Sequence, residues 1–172
     1  MNAAVPPSAL IVDPLAADRV AAGSALVAAG FHVTVSDTFA SAKDRMAARP
    51  PTVLITDVRL AEYNGIHLVI RGLAHGQRLA AVVTSEHEDP VLRDSAEKLG
   101  ATFAVKPLDA RELVAAVVRT LLRDLADQVA LRPPFERRSA DRRTSWGSVP
   151  PVERRLADRR QGIARYLSGT IN

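Results

Sequence analysis

Along the first 130 residues, short continuous apolar runs alternate with longer stretches whose apolar positions recur at helical spacing. The first run, Ala9-Leu10-Ile11-Val12, stops at Asp13. Helical spacing follows from Leu15 to Ala29, and Gly30 ends it as a C-cap. Phe31 to Val35 is short and β-branched, as a strand requires. Ser36 to Ala48 reads as a helix with Thr38 or Ser41 near its start, closed by Pro50-Pro51. Thr52 to Thr56 is a second apolar run, ending in Asp57. A loop holding Asn64-Gly65 then leads into a helical stretch ending near Ala74. Ala80 to Thr84 is the next strand, Pro90 to Leu99 a helix capped by Gly100, and Ala101 to Val105 the fifth strand. A long last helix runs from Leu108 to Leu131.

The order is (βα)5. Strands that are apolar throughout are buried on both faces, which specifies an α/β fold with a doubly wound, parallel five-stranded sheet. Right-handed crossovers put helices on both sides of it. The functional crevice of such a sheet lies outside the C-terminal ends of its strands. Those ends carry Asp13, Asp57, Thr84 and Lys106-Pro107. Singly, a strand-end Asp is a helix cap and a lysine is a solvated charge. Together on one rim they suit phosphoryl chemistry. Asp57 would attack phosphorus as a nucleophile, while Lys106 and the Thr84 hydroxyl would bind the phosphoryl oxygens. Mg2+ would need carboxylate oxygens from Asp13 and Asp57.

Charge divides the chain. The 172 residues carry a net charge of +4. Residues 1–130 hold 13 Lys and Arg against 15 Asp and Glu, a net −2, whereas residues 131–172 hold 10 Arg against 4 acids, a net +6. The boundary is therefore expected at 130/131, with a folded domain over 8–130 and a basic tail over 131–172. There is no cysteine, which removes disulfides, thiolate metal sites and cysteine nucleophiles. No apolar run reaches membrane-spanning length, and the N-terminal stretch has no basic leader. The expectation is a soluble, cytoplasmic protein.

Ordered along the chain, LIVD at 10–13, LITDVRL at 54–60 with Asn64-Gly65 behind it, VVTS at 82–85 and GATFAVKP at 100–107 make the segment from Ala9 to Leu125 resemble the CheY-like receiver domain of bacterial two-component response regulators, a flavodoxin-like fold. The resemblance covers about two thirds of the chain. It implies that Asp57 accepts a phosphoryl group from a histidine kinase or phosphotransfer protein, with Thr84 and Lys106 contacting the phosphate and Mg2+ bound beside it. It also implies a cis Lys106-Pro107 bond, and that Phe103 changes rotamer as the switch aromatic and reports the state to the surface around the fourth and fifth helices.

One position departs from that pattern. Receivers carry a pair of acids after the first strand, and here the pair is Asp13-Pro14. Pro14 takes the place of the more direct metal ligand and has no side-chain oxygen. Metal binding, and with it phosphotransfer, is expected to be impaired. Asp18 lies one turn into the first helix and is not expected to take over.

Elsewhere the plain reading prevails. Glu86-His87-Glu88-Asp89 resembles a metal cluster in composition but reads as a solvated helix N-terminus, where acids suit the helix dipole. The four histidines show no metal-ligand spacing, and there is no glycine-rich phosphate loop. The apolar positions Val118, Leu121, Leu122, Leu125 and Val129 of the last helix call for a cover, either a second protomer in a homodimer or the tail folded back.

The tail contains a repeat. Residues 133–143, PPFERRSADRR, recur at 150–160 as PPVERRLADRR, an offset of 17 with nine of eleven positions identical. It is too short and polar to form a core of its own, and no helix-turn-helix pattern follows the receiver. Three readings compete: a solvated or protein-contacting tail, a nucleic-acid or anionic-membrane arm, and a nucleotide-messenger site. The third uses the acids. Each copy holds Arg-x-x-Asp, Arg138 with Asp141 and Arg155 with Asp158. The arginine can bond guanine O6 and N7 bidentately, and the carboxylate can accept from guanine N1 and N2. Arg137, Arg142, Arg154 and Arg159 would stack on bases or pair with phosphates. This resembles the short motifs with which several bacterial proteins bind cyclic di-GMP, the leading specific ligand, with nucleic acid less favoured. The chain reads as a signalling or binding module with a downstream protein partner, and not as an enzyme.

Overall fold

The computed structural model describes residues 6–76 and 78–130, the side chains of 128–130 excepted. Five parallel strands form one sheet: β1 (Ser8–Val12), β2 (His32–Ser36), β3 (Val53–Asp57), β6 (Ala80–Ser85) and β7 (Thr102–Val105), in the order β2-β1-β3-β6-β7. Two further strands, β4 (Arg59–Leu60) and β5 (Tyr63–Asn64), form a small antiparallel hairpin outside that sheet. The helices are α1 (Ala16–Ala28), α2 (Phe39–Ala48), α3 (Ile66–Ala74), α4 (Pro90–Lys98) and α5 (Ala110–Ala130).

Burial follows position in the sheet. Every residue of the central strand β3 and of its neighbour β6 is buried, whereas the edge strands β2 and β7 are only partly covered. Central strands must be apolar on both faces, and edge strands tolerate His32 and Thr34. One face packs Ile11, Ile55 and Val82 against Ala25 and Leu26 of α1 and Leu113, Ala116 and Val117 of α5. Strand alternation turns Leu10, Leu54 and Val83 to the opposite face, and all three are buried there.

Local chemistry sets the helix ends. Thr38 caps α2 by accepting from the Ser41 amide at 3.3 Å. Asp89 caps α4, accepting from Val91 and Leu92 at 2.9 and 3.1 Å, with Pro90 at the first helical position. The plain reading of that acidic stretch as a helix start thus describes what Asp89 does. The last helix begins two residues later than Leu108, because Asp109 and Glu112 form a reciprocal capping box, each side chain accepting from the other's amide at 2.9 and 2.8 Å.

The hairpin is the element missing from the sequence reading, which has only a loop there. Each arm is two residues long, too short to show a period, and its turn contains Ala61 at φ 55°, where glycine or asparagine is usual. Leu60 is buried and Tyr63 stacks on Phe39 with ring centroids 4.6 Å apart, so packing rather than turn chemistry holds it. Among the described residues, no helix is long and apolar enough to cross a membrane.

Candidate functional site

The strand ends form one rim because the parallel registers align them. Asp57, the last residue of β3, pairs with Thr84 of β6, and Val12 of β1 pairs with Thr56, so Asp13 stands one step beyond. Backbone bonds past the strands keep them there: Asp13 N donates to Ser36 O at 3.1 Å, Val58 N to Thr84 O at 2.8 Å, and Lys106 N to Ser85 O at 2.8 Å. The Lys106-Pro107 bond is cis.

Each carboxylate has two tasks. Asp57 accepts from the Arg59 amide with Oδ1 at 2.7 Å and meets Lys106 Nζ with Oδ2 at 2.6 Å. Asp13 accepts from the Leu15 amide with Oδ1 at 2.8 Å, an Asx turn leading into α1, and meets the same Nζ with Oδ2 at 2.6 Å. Neither aspartate caps a helix: Leu15 is the N-cap of α1, without a side-chain cap bond, and Arg59 belongs to the β4 hairpin. Asp57 is 6% exposed, so its oxygens need these partners in place of water.

A third carboxylate completes the cluster. Asp18 Oδ2 lies 2.7 Å from Lys106 Nζ. The sequence reading sets Asp18 apart as a residue one turn into a helix. That first turn starts at the rim itself, and a turn of helix advances only about 5 Å, within reach of a lysine side chain. The ammonium thus donates to Asp13 and Asp18 and pairs with Asp57 at ion-pair distance. Burial depresses the lysine, but the bonds to Asp13, Asp18 and Asp57 outweigh it and hold its pKa above the ordinary lysine range.

The Thr84 hydroxyl donates to Thr56 O at 3.4 Å. Phe103 is buried, and the Arg93 guanidinium lies over its ring, 4.9 Å from the centroid. Arg93 is itself forked onto Glu88, with both bonds at 2.6 Å. Gly65 closes the loop behind Asp57. A Cβ there would collide with the Asp57 carbonyl and the Thr56 hydroxyl oxygen, so only glycine fits.

Two depressions open from the cluster. A concavity of about 120 Å³ sits over Asp57, lined also by Asp13, Pro14, Arg59, Ser85 and His87. A larger cleft of about 440 Å³ runs from Asp13, Asp18 and Lys106 between α1 and α5, over Ala22, Ala25 and Leu113. The hard-oxygen donors suit Mg2+ in kind. Asp13 and Asp57 are the residues that would hold it, but the site is a weak one: Lys106 engages the Oδ2 of each, Pro14 offers no oxygen, and among the described residues no group of three acidic or imidazole side chains is placed to hold a metal. The proposed tail residues Arg137, Arg138, Asp141, Arg142, Arg154, Arg155, Asp158 and Arg159 lie outside the described residues.

Comparison with known proteins gives a consistent answer. The model of the response regulator receiver domain matches residues 9–118. The photosynthetic apparatus regulatory protein RegA of Rhodovulum sulfidophilum is 29% identical over 144 residues, spanning 83% of this chain and 75% of its own. The acid tolerance regulatory protein ActR of Rhizobium meliloti is 30% identical over 138 residues, 78% of this chain and 67% of its own. Among solved structures, a CheY-like response regulator receiver domain protein from Methanospirillum hungatei superposes with a TM-score of 0.64 at 17% identity, over 72% of this chain and 99% of its own. Chemotaxis protein CheY4 of Vibrio cholerae does so with 0.63 at 21% identity, over 67% and 99%. Domains of this kind generally bind Mg2+ at the phosphorylation site and interact with histidine kinases or phosphotransfer proteins. By its strand-end residues, its sheet order and its match over residues 9–118, this chain belongs to the response regulator receiver family, a signal-transduction module.

Proposed function

We propose that Asp57 is the phosphoryl acceptor of this receiver, with Lys106 and Thr84 as the groups that bind the transferred phosphoryl oxygens. The observation that supports this most is the placement of Asp57 Oδ2, 2.6 Å from Lys106 Nζ, beneath an open concavity of about 120 Å³. The attacking carboxylate oxygen forms the new bond to phosphorus, and the donor's imidazole nitrogen departs with the bonding pair of the broken P–N bond. The Lys106 ammonium offsets the charge on the equatorial oxygens, and Thr84 supplies a hydroxyl donor once it leaves Thr56. Mg2+ at Asp13 and Asp57 is weakened by Pro14. Phe103 is the residue that changes rotamer with the phosphorylated state. A histidine kinase or phosphotransfer protein is the donor, and a downstream protein is the receiver of the signal. Beryllofluoride titration watched by amide NMR tests this: shifts at Thr84 and Phe103 are expected in the wild type and none in Asp57→Ala. No shift in the wild type would contradict it.

The tail extends the proposal. The duplicated Arg-x-x-Asp, at Arg138 with Asp141 and at Arg155 with Asp158, suits the two guanines of cyclic di-GMP, with Arg137, Arg142, Arg154 and Arg159 beside them. Calorimetry with that nucleotide is expected to show micromolar binding that Arg138→Ala and Arg155→Ala both abolish; absence of heat would remove the messenger. Salt-dependent DNA retention would favour a polynucleotide arm instead.

A second reading is a pseudo-receiver, cytoplasmic and not an enzyme, that acts by protein contact. Pro14 favours it, because the acid pair is broken. The exposed stripe Val118, Leu122 and Leu125 on α5 would then serve as a homodimer surface.

A further inference from the structure

We infer that Asp18 is a positioning residue that holds Lys106 on the α1 side of the anion-binding concavity, competes with an incoming anion for its ammonium, and so restrains this pocket's reaction with phosphate. Lys106 lines the cleft between α1 and α5, and it is not among the residues around the concavity over Asp57. Asp18 is on the same side as Lys106, in the first turn of α1, and it takes one of the three ammonium donors at 2.7 Å. Asp13 takes a second donor and Asp57 lies at ion-pair distance, so an incoming anion competes with three carboxylates for the ammonium. Asp18 also adds a charge. Three carboxylates against one ammonium leave the cluster at a net −2, and an anion approaching Asp57 meets that excess in a site where charges are poorly screened. Asp18 thus returns the negative charge that Pro14 withholds, and spends it on the lysine.

The inference concerns the same site as the proposed phosphoryl transfer, but its readout is noncovalent, so the two fail separately. Inorganic phosphate, without added metal, is titrated into the full-length protein while the amides of Asp57 and Thr84 are followed by NMR. Asp18→Asn keeps the size of the side chain, removes one charge and weakens the hold on Lys106 from the α1 side. It is expected to bind phosphate several-fold more tightly than the wild type, about tenfold if the full charge is felt at short range. Asp18→Glu, which keeps the charge, is expected to stay near the wild type. A residue with a merely structural role would do the opposite, since its loss would loosen the rim and weaken binding. Lys106 retains Asp13 and Asp57 in Asp18→Asn, and a thermal melt checks that this variant is folded. Equal or weaker phosphate binding by Asp18→Asn, or no saturable shift in either protein, would overturn the inference. So would Asp18→Glu binding as tightly as Asp18→Asn.

Discussion

Lys106 and Arg93 are both cations set among acids, and they do opposite kinds of work. Lys106 is 16% exposed and gathers Asp13, Asp18 and Asp57 from the end of β1, from α1 and from the end of β3. Two of these partners lie 93 and 88 residues away in sequence. Arg93 is 37% exposed, and its acids are the local Glu88 and Glu97, five residues before it and four after. A buried long-range cluster joins separate elements and cannot lose one member without stranding the others. An exposed local pair is screened by water and holds only its own turn, although Arg93 adds a stacking contact on Phe103. The number of ion pairs around a cation therefore says little until their burial and sequence separation are known.

The contrast can be broken from the Lys106 side first. Lys106→Met would leave Asp13 and Asp57 facing each other in a buried site. A loss of about 3 kcal/mol in urea unfolding at neutral pH is expected, the lower end for a broken buried pair because Asp18 is more than a third exposed. A variant as stable as the wild type at pH 7 would show that the cluster holds nothing together.

Gly65→Ala tests whether the rim also needs its backbone support. The added methyl meets the Asp57 carbonyl, which cannot swing aside as a side chain could, and a cost of about 1–3 kcal/mol is expected by thermal or urea unfolding. The Asp57 and Thr84 amide resonances should move with it. An alanine accepted without cost would mean that the loop behind Asp57 has slack.

Pro14→Asp addresses the same rim from the charge side. It restores an oxygen donor beside Asp13, and Mg2+ affinity, read by calorimetry, is expected to rise about tenfold. Unchanged affinity would show that Pro14 is not what limits the metal.

The smallest effect is expected at Arg93. Its bond to Glu88 holds that carboxyl below its ordinary pKa of 4.5. The contribution of the pair is therefore present above pH 4.5 and is lost as pH falls through the lower folded-state value. In an acid titration by carboxyl NMR, Glu88 should remain ionised after exposed glutamates have begun to protonate, and Arg93→Ala should return it to the ordinary range. The same variant should leave the Asp57 rim unmoved.

What was legible in the sequence follows from what pattern can encode. The apolar runs at 9–12, 53–56 and 80–84 are buried on both faces, so the sequence alone specifies a parallel sheet, and with it the convergence of Asp13, Asp57, Thr84 and Lys106. The hairpin at 59–64 was not, because two-residue strands have no period and their stability comes from Leu60 and the Phe39–Tyr63 stack. Asp18 was missed for a different reason. Periodicity assigns a residue to a helix face, but whether a long lysine side chain from β7 reaches it is a matter of three-dimensional distance. The tail is the reverse case. Its repeat is plain to read, yet a charge pattern does not by itself name the partner, and residues 131–172 lie outside those described.

The central claim is that Asp57 accepts a phosphoryl group, and intact-protein mass measured after incubation with acetyl phosphate and Mg2+ tests it most directly. The account predicts a gain of one phosphoryl group on the wild type and none on Asp57→Asn. No gain on the wild type, or an equal gain on both, would contradict it.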